Sequence, residues 1–151
     1  MEPIVQLNSN AKLSDHFTLG EMTKSSSHPE VYNIPSHEAI ANLKRLCGWL
    51  EVLRERSGGP IVINSGYRSP QLNKKIGGVP TSNHLIGCAA DIRVENMEQL
   101  IRYAAILLDY ADESHQDFDE LLIEKNRYGA IWLHFAVRLK DNRRKVAFIN
   151  A

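Results

Sequence analysis

Apolar residues recur at steps of three and four along two long stretches of the chain, and this spacing predicts two amphipathic helices. The first stretch begins after Ser36, a suitable N-cap, and ends at Gly58. Its apolar positions are Ile40, Leu43, Leu46, Cys47, Leu50 and Leu53. The second stretch begins at Asn96, and its apolar positions are Leu100, Ile101, Ala104, Leu107 and Leu108. The first helix should also have a solvated face, formed by Arg45, Glu51, Arg54, Glu55 and Arg56.

Two shorter helices are predicted from the signals at their ends. Thr18-Leu-Gly-Glu21 matches a capping box, so a short helix should begin there. Ser69 and Pro70 supply an N-cap and a first helical residue, and Gly77-Gly78 supplies a stop. We therefore expect a helix over residues 70–76.

Aromatic and β-branched runs without helical spacing predict strands. The predicted strands cover residues 61–64, 91–94, 119–124, 130–139 and 145–149. The last three follow one another through short connections, so we expect consecutive hairpins. The polar stretch 111–119 is expected to be an exposed connection. Helices first and hairpins last predict an α+β domain with a mostly antiparallel sheet flanked by helices.

The length of 151 residues suits one domain. We expect an extended N-terminal arm at residues 1–12, where no periodic pattern occurs, and a single domain over residues 13–151. A loop should pass through Pro29 and Pro35. The 18 basic and 18 acidic residues give a formal net charge of zero, which argues against a nucleic-acid partner. We expect a monomer.

The chain has no apolar run near the length of a membrane span, and its first residues lack the basic and apolar regions of a secretory signal. We therefore expect a protein that is cytoplasmic as synthesised, unless a leader has been removed. The two cysteines, Cys47 and Cys88, do not form a disulfide framework, and both lie in sequences typical of buried positions. A packed thiol is favoured at Cys88, although its place between His84 and Asp91 leaves a soft metal ligand as an alternative.

A turn-rich segment, residues 65–91, carries most of the candidate chemistry. It holds His84 and Asp91, seven residues apart, with Asp91 at the start of a predicted strand. Imidazole and carboxylate both bind Zn2+, and a catalytic zinc takes three protein ligands. His134, in the predicted strand Ile131–Val137, is a candidate for the third. From the spacing alone two hypotheses stay open: a zinc site, or two core histidines with a capping aspartate.

These motifs resemble those of the zinc D-alanyl-D-alanine carboxypeptidase family and its phage-type murein peptidase relatives. The shared motifs are Ser-Gly-Tyr-Arg-Ser at 65–69, Asn73, Gly77-Gly78, Ser82-x-His84-x-x-Gly87-x-Ala89-x-Asp91 and Trp132-x-His134, with a lead-in at Leu13–Glu21. The resemblance runs from about Leu13 to Val137. It implies a Hedgehog/DD-peptidase-like fold and action on peptidoglycan stem peptides.

The resemblance also implies the roles of individual residues. It makes His84, Asp91 and His134 the ligands of a Zn2+ ion. It implies that Arg68 contacts substrate, and Ser82 is expected in the substrate site with it. Because the Arg68 guanidinium is a permanent cation, it could meet a carboxylate or a developing oxyanion. The alternative is an arginine that braces the motif loop through backbone carbonyls.

The general base is the point at which this chain departs from its relatives. Many of them have an acidic residue three positions before the second histidine, and here that residue is Ile131, which cannot move a proton. Glu124 is the best candidate, because a short hairpin would bring the end of its strand beside His134. The alternative is a surface glutamate paired with Lys125 or Arg127.

Two functional hypotheses remain. The first is a zinc peptidase that hydrolyses stem-peptide bonds, either the terminal D-Ala-D-Ala bond or an L-Ala to D-Glu or cross-bridge bond. It would act at the cell wall after release if it is a lysis enzyme. The second is a catalytically silent zinc-containing module of the same fold, with a binding, virion or wall-associated role. Sequence does not separate them, because function does not follow from fold alone.

Overall fold

The computed structural model describes residues 8–25, 28, 31 and 33–151. Most of the predicted arm, residues 1–7, and Pro29 of the predicted loop lie outside the described residues. The elements are α1 (Leu19–Thr23), α2 (His37–Ser57), β1 (Ile63–Ser65), α3 (Pro70–Lys75), a 3-10 helix (Asn83–Ile86), β2 (Ala89–Arg93), α4 (Met97–Ser114), β3 (Glu120–Lys125), β4 (Ile131–Ala136) and β5 (Lys145–Asn150).

The four predicted α-helices are confirmed, and their caps explain their ends. The Ser36 hydroxyl accepts the Ala39 N–H at 3.1 Å at the start of α2, and Gly58 ends that helix with φ of 77°. Thr18 and Glu21 form the reciprocal capping box of α1. Ser69, with Pro70 following it, caps α3, and Asn96 caps α4.

The prediction of an exposed connection over residues 111–119 is wrong. Helix α4 continues to Ser114, and its residue Ala111 is buried. After the helix, Phe118 and Asp119 are completely buried. The physical reason is aromatic packing, because the Phe118 ring lies between Trp49 and Phe135, with ring centroids 6.4 and 5.5 Å away. Asp112, Glu113 and residues 115–117 are exposed, so the stretch is exposed only in part.

The sheet is five-stranded, with strand order β1-β2-β4-β3-β5. The pairs β1–β2, β2–β4 and β3–β4 are antiparallel, whereas β3–β5 is parallel. The α+β class is therefore confirmed, and the predicted hairpin between β3 and β4 is present. The predicted hairpin between β4 and β5 is wrong. Both edges of β4 are already paired, with β2 and β3, so β5 adds to the free edge of β3.

Strand bounds differ from the predictions in ways that matter for the candidate site. Strand β2 begins at Ala89, so Asp91 lies in the middle of the strand and not at its start. Asp91 pairs with His134 on β4, and the same register places Leu122 of β3 opposite His134. A mid-strand aspartate has backbone neighbours on both sides, which holds its side chain more rigidly than a strand end does.

The two faces of the sheet have different roles because side chains alternate along each strand. Leu121, Leu133 and Phe135 join the hydrophobic core with α2 and α4. The opposite face carries the residues of the candidate site, which are Glu120, Leu122, Glu124, Trp132 and His134. The helices thus cover one face and leave the other for chemistry.

The predicted solvated face of α2 has one exception, Glu51. This residue accepts hydrogen bonds from the Ser14 hydroxyl and the His16 N–H at 2.5 and 2.6 Å and thereby fixes the segment before α1.

Cys47 and Cys88 are both buried and free, as predicted, and burial raises their pKa values to about 12 and about 11. Across the part of the chain that the structure describes, no helix is long and apolar enough to cross a membrane.

Candidate metal centre

Hydrogen bonds hold both the backbone and the imidazole ring of His84. The Ser82 hydroxyl caps the 3-10 helix by accepting the His84 N–H at 3.2 Å. The Nδ1 atom of His84 lies 2.7 Å from the Gly66 carbonyl oxygen. Because a carbonyl only accepts, Nδ1 must carry the proton, and Nε2 is left with a lone pair that points toward Asp91.

A glycine is required where the chain leaves this 3-10 helix. Gly87 has φ of 77°, in the left-handed region, and a Cβ there would lie 2.5 Å from the Ala39 carbonyl oxygen. The chain therefore packs backbone against α2 at this point and returns directly into β2, which carries Asp91.

The side chains of His84, Asp91 and His134 converge. One ligand atom from each lies within 4.8 Å of the other two, and all three residues are buried. Oδ1 of Asp91 lies 3.3 Å from Nε2 of His84 and 3.1 Å from Nδ1 of His134. Ligands about 2.0–2.1 Å from a tetrahedral zinc ion are about 3.3 Å apart, so these separations fit that ion.

The electrostatics of the three residues favour a positive charge among them. Burial opposes protonation of His134, but hydrogen bonds to Asp91 and Glu120 outweigh burial and raise its pKa to about 10. Burial likewise opposes ionisation of Asp91, but the two histidines outweigh it and hold its pKa far below the ordinary value. In the metal-free protein a proton supplies that positive charge. A divalent cation can replace it, so binding must release a proton and weaken in acid.

Glu120 is a candidate functional residue that the sequence prediction missed. Its Oε1 lies 3.0 Å from Nε2 of His134. A carboxylate in this place fixes the proton on Nε2 and leaves Nδ1 for a metal, as outer-shell carboxylates commonly do. The signal that could have found it is the alternation of β3, which puts Glu120 on the same face as Glu124.

Glu124, the candidate base, lies beside the three candidate ligands. The Trp132 indole N–H donates to its Oε2 at 2.5 Å, and the same oxygen is 4.0 Å from Nδ1 of His134. Burial and the nearby charge of Asp91 raise its pKa. In contrast, Glu120 has a lowered pKa, because His134 and Asn83 outweigh its burial. The pKa values of two carboxylates on the same strand face are thus shifted in opposite directions. Such a difference is expected where one carboxylate orients another residue and the other carries a proton.

The alternative that pairs Glu124 with Lys125 or Arg127 finds no support in the contacts. Among the residues that the structure describes, Glu124 hydrogen-bonds Trp132, and Arg127 donates to the Tyr128 hydroxyl at 2.6 Å. Ile131 pairs with Lys125 across the hairpin. Glu124 on the neighbouring strand is therefore a carboxylate close to His134, whereas Ile131 offers none.

Arg68 lies at the edge of the same three residues. Its Nη2 donates to Oδ2 of Asp91 at 3.1 Å, and its Nε donates to the Ser65 hydroxyl at 3.1 Å. Its Nη1 is 3.4 Å from Oδ1 of Asn73. The guanidinium therefore contacts side chains and not the backbone carbonyls that the bracing alternative required. It also lines the open cleft, where it is available to an anionic group.

The candidate site opens into a cleft of about 780 Å³. His84, Asp91, His134, Glu124, Arg68 and Ser82 all line it, so the structure brings together every residue that the sequence analysis singled out for the site. Cys88 is not among them, and it is not part of the metal-ligand group found among the described residues. The packed-thiol interpretation of Cys88 therefore fits the structure.

Comparison with known proteins agrees with this geometry. A sequence profile of the family described as Peptidase M15 matches residues 15–118. A zinc D-Ala-D-Ala carboxypeptidase of Streptomyces albus G is 31% identical over 90 residues, which cover 59% of this chain and 35% of that protein. The match thus spans about a third of the length of this relative. His84, Asp91 and Arg68 lie inside the profile match, whereas Glu124 and His134 lie beyond it. Because the profile covers more than half of the chain, the protein belongs to the peptidase M15 family.

Proposed function

We propose that this protein is a zinc peptidase that hydrolyses peptide bonds in peptidoglycan stem peptides, as a D-Ala-D-Ala carboxypeptidase or a murein endopeptidase. The observation that carries the proposal is the convergence of His84, Asp91 and His134, with separations that suit a tetrahedral ion. The family and the named relative support the same activity. A Hedgehog/DD-peptidase-like fold is part of the proposal.

The ion would be held by Nε2 of His84, a carboxylate oxygen of Asp91 and Nδ1 of His134. Three ligands leave one tetrahedral position open, which is typical of catalytic zinc and not of structural zinc. When bound, Zn2+ supplies a Lewis acid that polarises a peptide carbonyl and lowers the pKa of water. Gly66 and Glu120 hold the two rings through their other nitrogen atoms.

Glu124 acts as the general base. Its carboxylate takes a proton from the attacking water and gives it to the departing amine, so that the nitrogen leaves as a neutral group. The raised pKa of Glu124 suits the first half of this transfer, because a carboxylate with a higher pKa is a better base. The indole of Trp132 restrains one carboxylate oxygen and leaves the other for the proton.

Arg68 binds the substrate or stabilises charge that develops on it. Its charge borders Asp91, and its guanidinium lines the cleft, so it can bind a substrate carboxylate or stabilise the negative charge that develops on the carbonyl oxygen. Ser82 lines the same cleft, but its hydroxyl already caps the helix of His84. Ser82 therefore has two proposed roles, in binding the substrate and in capping the helix that carries His84.

The experiment is digestion of purified peptidoglycan by the zinc-loaded protein, with mass spectrometry of the released fragments. We expect one defined peptide bond to be cut, and the masses identify it. His134→Ala should lose both bound zinc and cleavage, while the exposed His37→Ala should keep both. One equivalent of tightly bound zinc with no bond cut in peptidoglycan or synthetic stem peptides would instead favour the catalytically silent module.

A further inference from the structure

We propose that Arg138 forms a second carboxylate-binding subsite in the cleft, on the other side of His134 from Arg68. The inference rests on the proposed function, because the carboxylate is taken to belong to the peptide substrate. It concerns a residue that neither the metal site nor the proton transfer uses.

Arg138 is held rigidly at both its backbone and its side chain. Its N–H donates to Oδ1 of Asn142 at 2.8 Å, and the Asn142 amide donates back to the Arg138 carbonyl at 3.0 Å. Its Nε donates to Oδ1 of Asn83 at 3.1 Å. Fixing Nε in this way sets the plane of the guanidinium, and the Nη atoms keep their donors for another partner.

Asn83 is itself fixed, so it holds Arg138 in one orientation. It is 4% exposed, and its Nδ2 donates to Oδ2 of Asp119 at 2.8 Å and to Oε1 of Glu120 at 2.7 Å. With both amide protons directed at carboxylates, the Asn83 oxygen must face Arg138. A buried amide with every group satisfied is a rigid support for an arginine that lines the cleft.

The charge of Arg138 is not neutralised locally. Within the described part of the chain, no carboxylate lies within ion-pair distance of its guanidinium, although it lines the cleft. Arg143, in the same cleft, is different, because it pairs with Asp119 and Glu120 at 2.9 and 3.3 Å. A pre-oriented cation in a cleft wall that has no carboxylate partner among the described residues is suited to a carboxylate that arrives with a ligand.

The contacts give the position of Arg138 along the cleft. Nδ1 of His134 faces Asp91, which Arg68 contacts. Nε2 of His134 faces Glu120, which reaches Arg138 through Asn83. The two ring nitrogens of His134 thus lead to different arginines, one through Asp91 and the other through Glu120 and Asn83. A substrate that uses both arginines presents a carboxylate to Arg138 in addition to the carboxylate or developing oxyanion that faces Arg68.

This arrangement points to a class of stem peptide. It suits a peptide whose glutamate has an ionised carboxylate close to the cleaved bond, in addition to the group that Arg68 contacts. A peptide in which the same glutamate carboxylate is an amide should fit less well. The amide carries no charge and would leave Arg138 without an anionic partner.

The test uses two synthetic stem peptides that differ only in the glutamate carboxylate, which is free in one and a primary amide in the other. Both are given to the zinc-loaded wild type, to Arg138→Gln and to Lys140→Gln. Lys140 is a matched control, because it is an exposed cation two residues away that does not line the cleft. Zinc content and melting temperature verify that each variant is folded.

We expect the wild type and the Lys140→Gln variant to have a kcat/KM about 10- to 100-fold higher for the acid than for the amide, the range of a charge-assisted hydrogen bond. Arg138→Gln should lose this preference, because its kcat/KM should fall far more for the acid than for the amide. Equal wild-type rates on the two peptides, or an equal loss on both in Arg138→Gln, would overturn the proposal.

A binding measurement separates this inference from the proposed function. If neither peptide is cleaved, calorimetric titration of the same two peptides into the zinc-loaded proteins decides the point. Tighter binding of the acid by the wild type but not by Arg138→Gln would support the subsite, even though the hydrolase proposal had failed. Equal wild-type affinity for the two peptides would remove the subsite as well.

Discussion

Oε1 of Glu120 lies 3.0 Å from Nε2 of His134, and this contact decides which nitrogen of the imidazole faces Asp91. A carboxylate only accepts, so Glu120 keeps a proton on Nε2, and Nδ1 is the nitrogen that can lose its proton when a metal ion binds. Asn83 and Arg143 in turn hold Glu120, so the imidazole is supported by groups on three different segments.

From this relationship we expect Glu120→Ala to weaken zinc binding by about 10- to 100-fold, the usual cost of losing an outer-shell partner. Glu120→Gln should lose less, since the amide oxygen still accepts from Nε2. Competition with a chelator of known affinity measures the effect without any reference to activity. Glu113→Ala is the control, because Glu113 is a surface residue paired with Arg56. Wild-type affinity in Glu120→Ala would contradict the role.

For Glu124, we expect Glu124→Gln to bind zinc normally and to lose about 10^2- to 10^4-fold in hydrolysis, because an amide cannot take a proton from water. Steady-state cleavage of a synthetic stem peptide, with zinc content measured on the same samples, tests this. Glu98→Gln removes an exposed glutamate that pairs only with Arg102 on α4, and it should be neutral. Cleavage at the parent rate by Glu124→Gln would exclude it as the base.

Arg68→Ala should bind zinc stoichiometrically when zinc is saturating, with a lower kcat/KM than the parent. The zinc ligands remain in place, while the charge facing the substrate is gone. Arg68→Lys should be nearly as damaging, because a lysine cannot contact Ser65 and Asp91 together with a planar fork. Unchanged hydrolysis in Arg68→Ala with zinc retained would indicate that Arg68 only supports the loop.

The fourth prediction concerns stability and pH. Burial of Asp119 opposes its ionisation, but hydrogen bonds from Arg143 and Asn83 outweigh burial and lower its pKa to about 2, from an ordinary value of 3.8. A lowered pKa in the folded protein adds stability above the unfolded value, and the added stability is lost as the pH falls toward the folded value. The ionised carboxylate should therefore contribute about 2 kcal/mol at neutral pH.

Urea unfolding of the metal-free wild type and Asp119→Asn measures this contribution. We expect the wild type to be the more stable at pH 7, and the difference between the two proteins to shrink between about pH 4 and pH 2. Asp117→Asn, at an exposed aspartate that pairs with Arg144, should change stability by less than about 0.5 kcal/mol. A difference that stays constant over this pH range would show that the charge of Asp119 is not the cause.

The helices and their ends could be predicted from sequence because their determinants are local. A cap such as Ser36 acts on a backbone group three residues away, and Gly58 adopts a left-handed conformation without help from distant residues. His84 and Asp91 could likewise be singled out, because they lie in one segment with Arg68. The proposed ligand His134 and the proposed base Glu124 were reached less directly, through a resemblance and a predicted hairpin that the structure contains.

Only the tertiary structure decided which strands are neighbours. The parallel pairing of β5 with β3 joins segments that are separated by β4, and no local pattern encodes a pairing at that distance. The packing of strands and loops in the folded protein also makes the chain of contacts at the site. These contacts join His134 to Glu120, Glu120 to Asn83, and Asn83 to Arg138. The sequence by itself determined which residues can bind a metal and where the helices begin and end. Folding decided which carboxylate contacts the His134 imidazole and which has a raised pKa, because burial and neighbouring charges set each pKa and exist only once the sheet has formed.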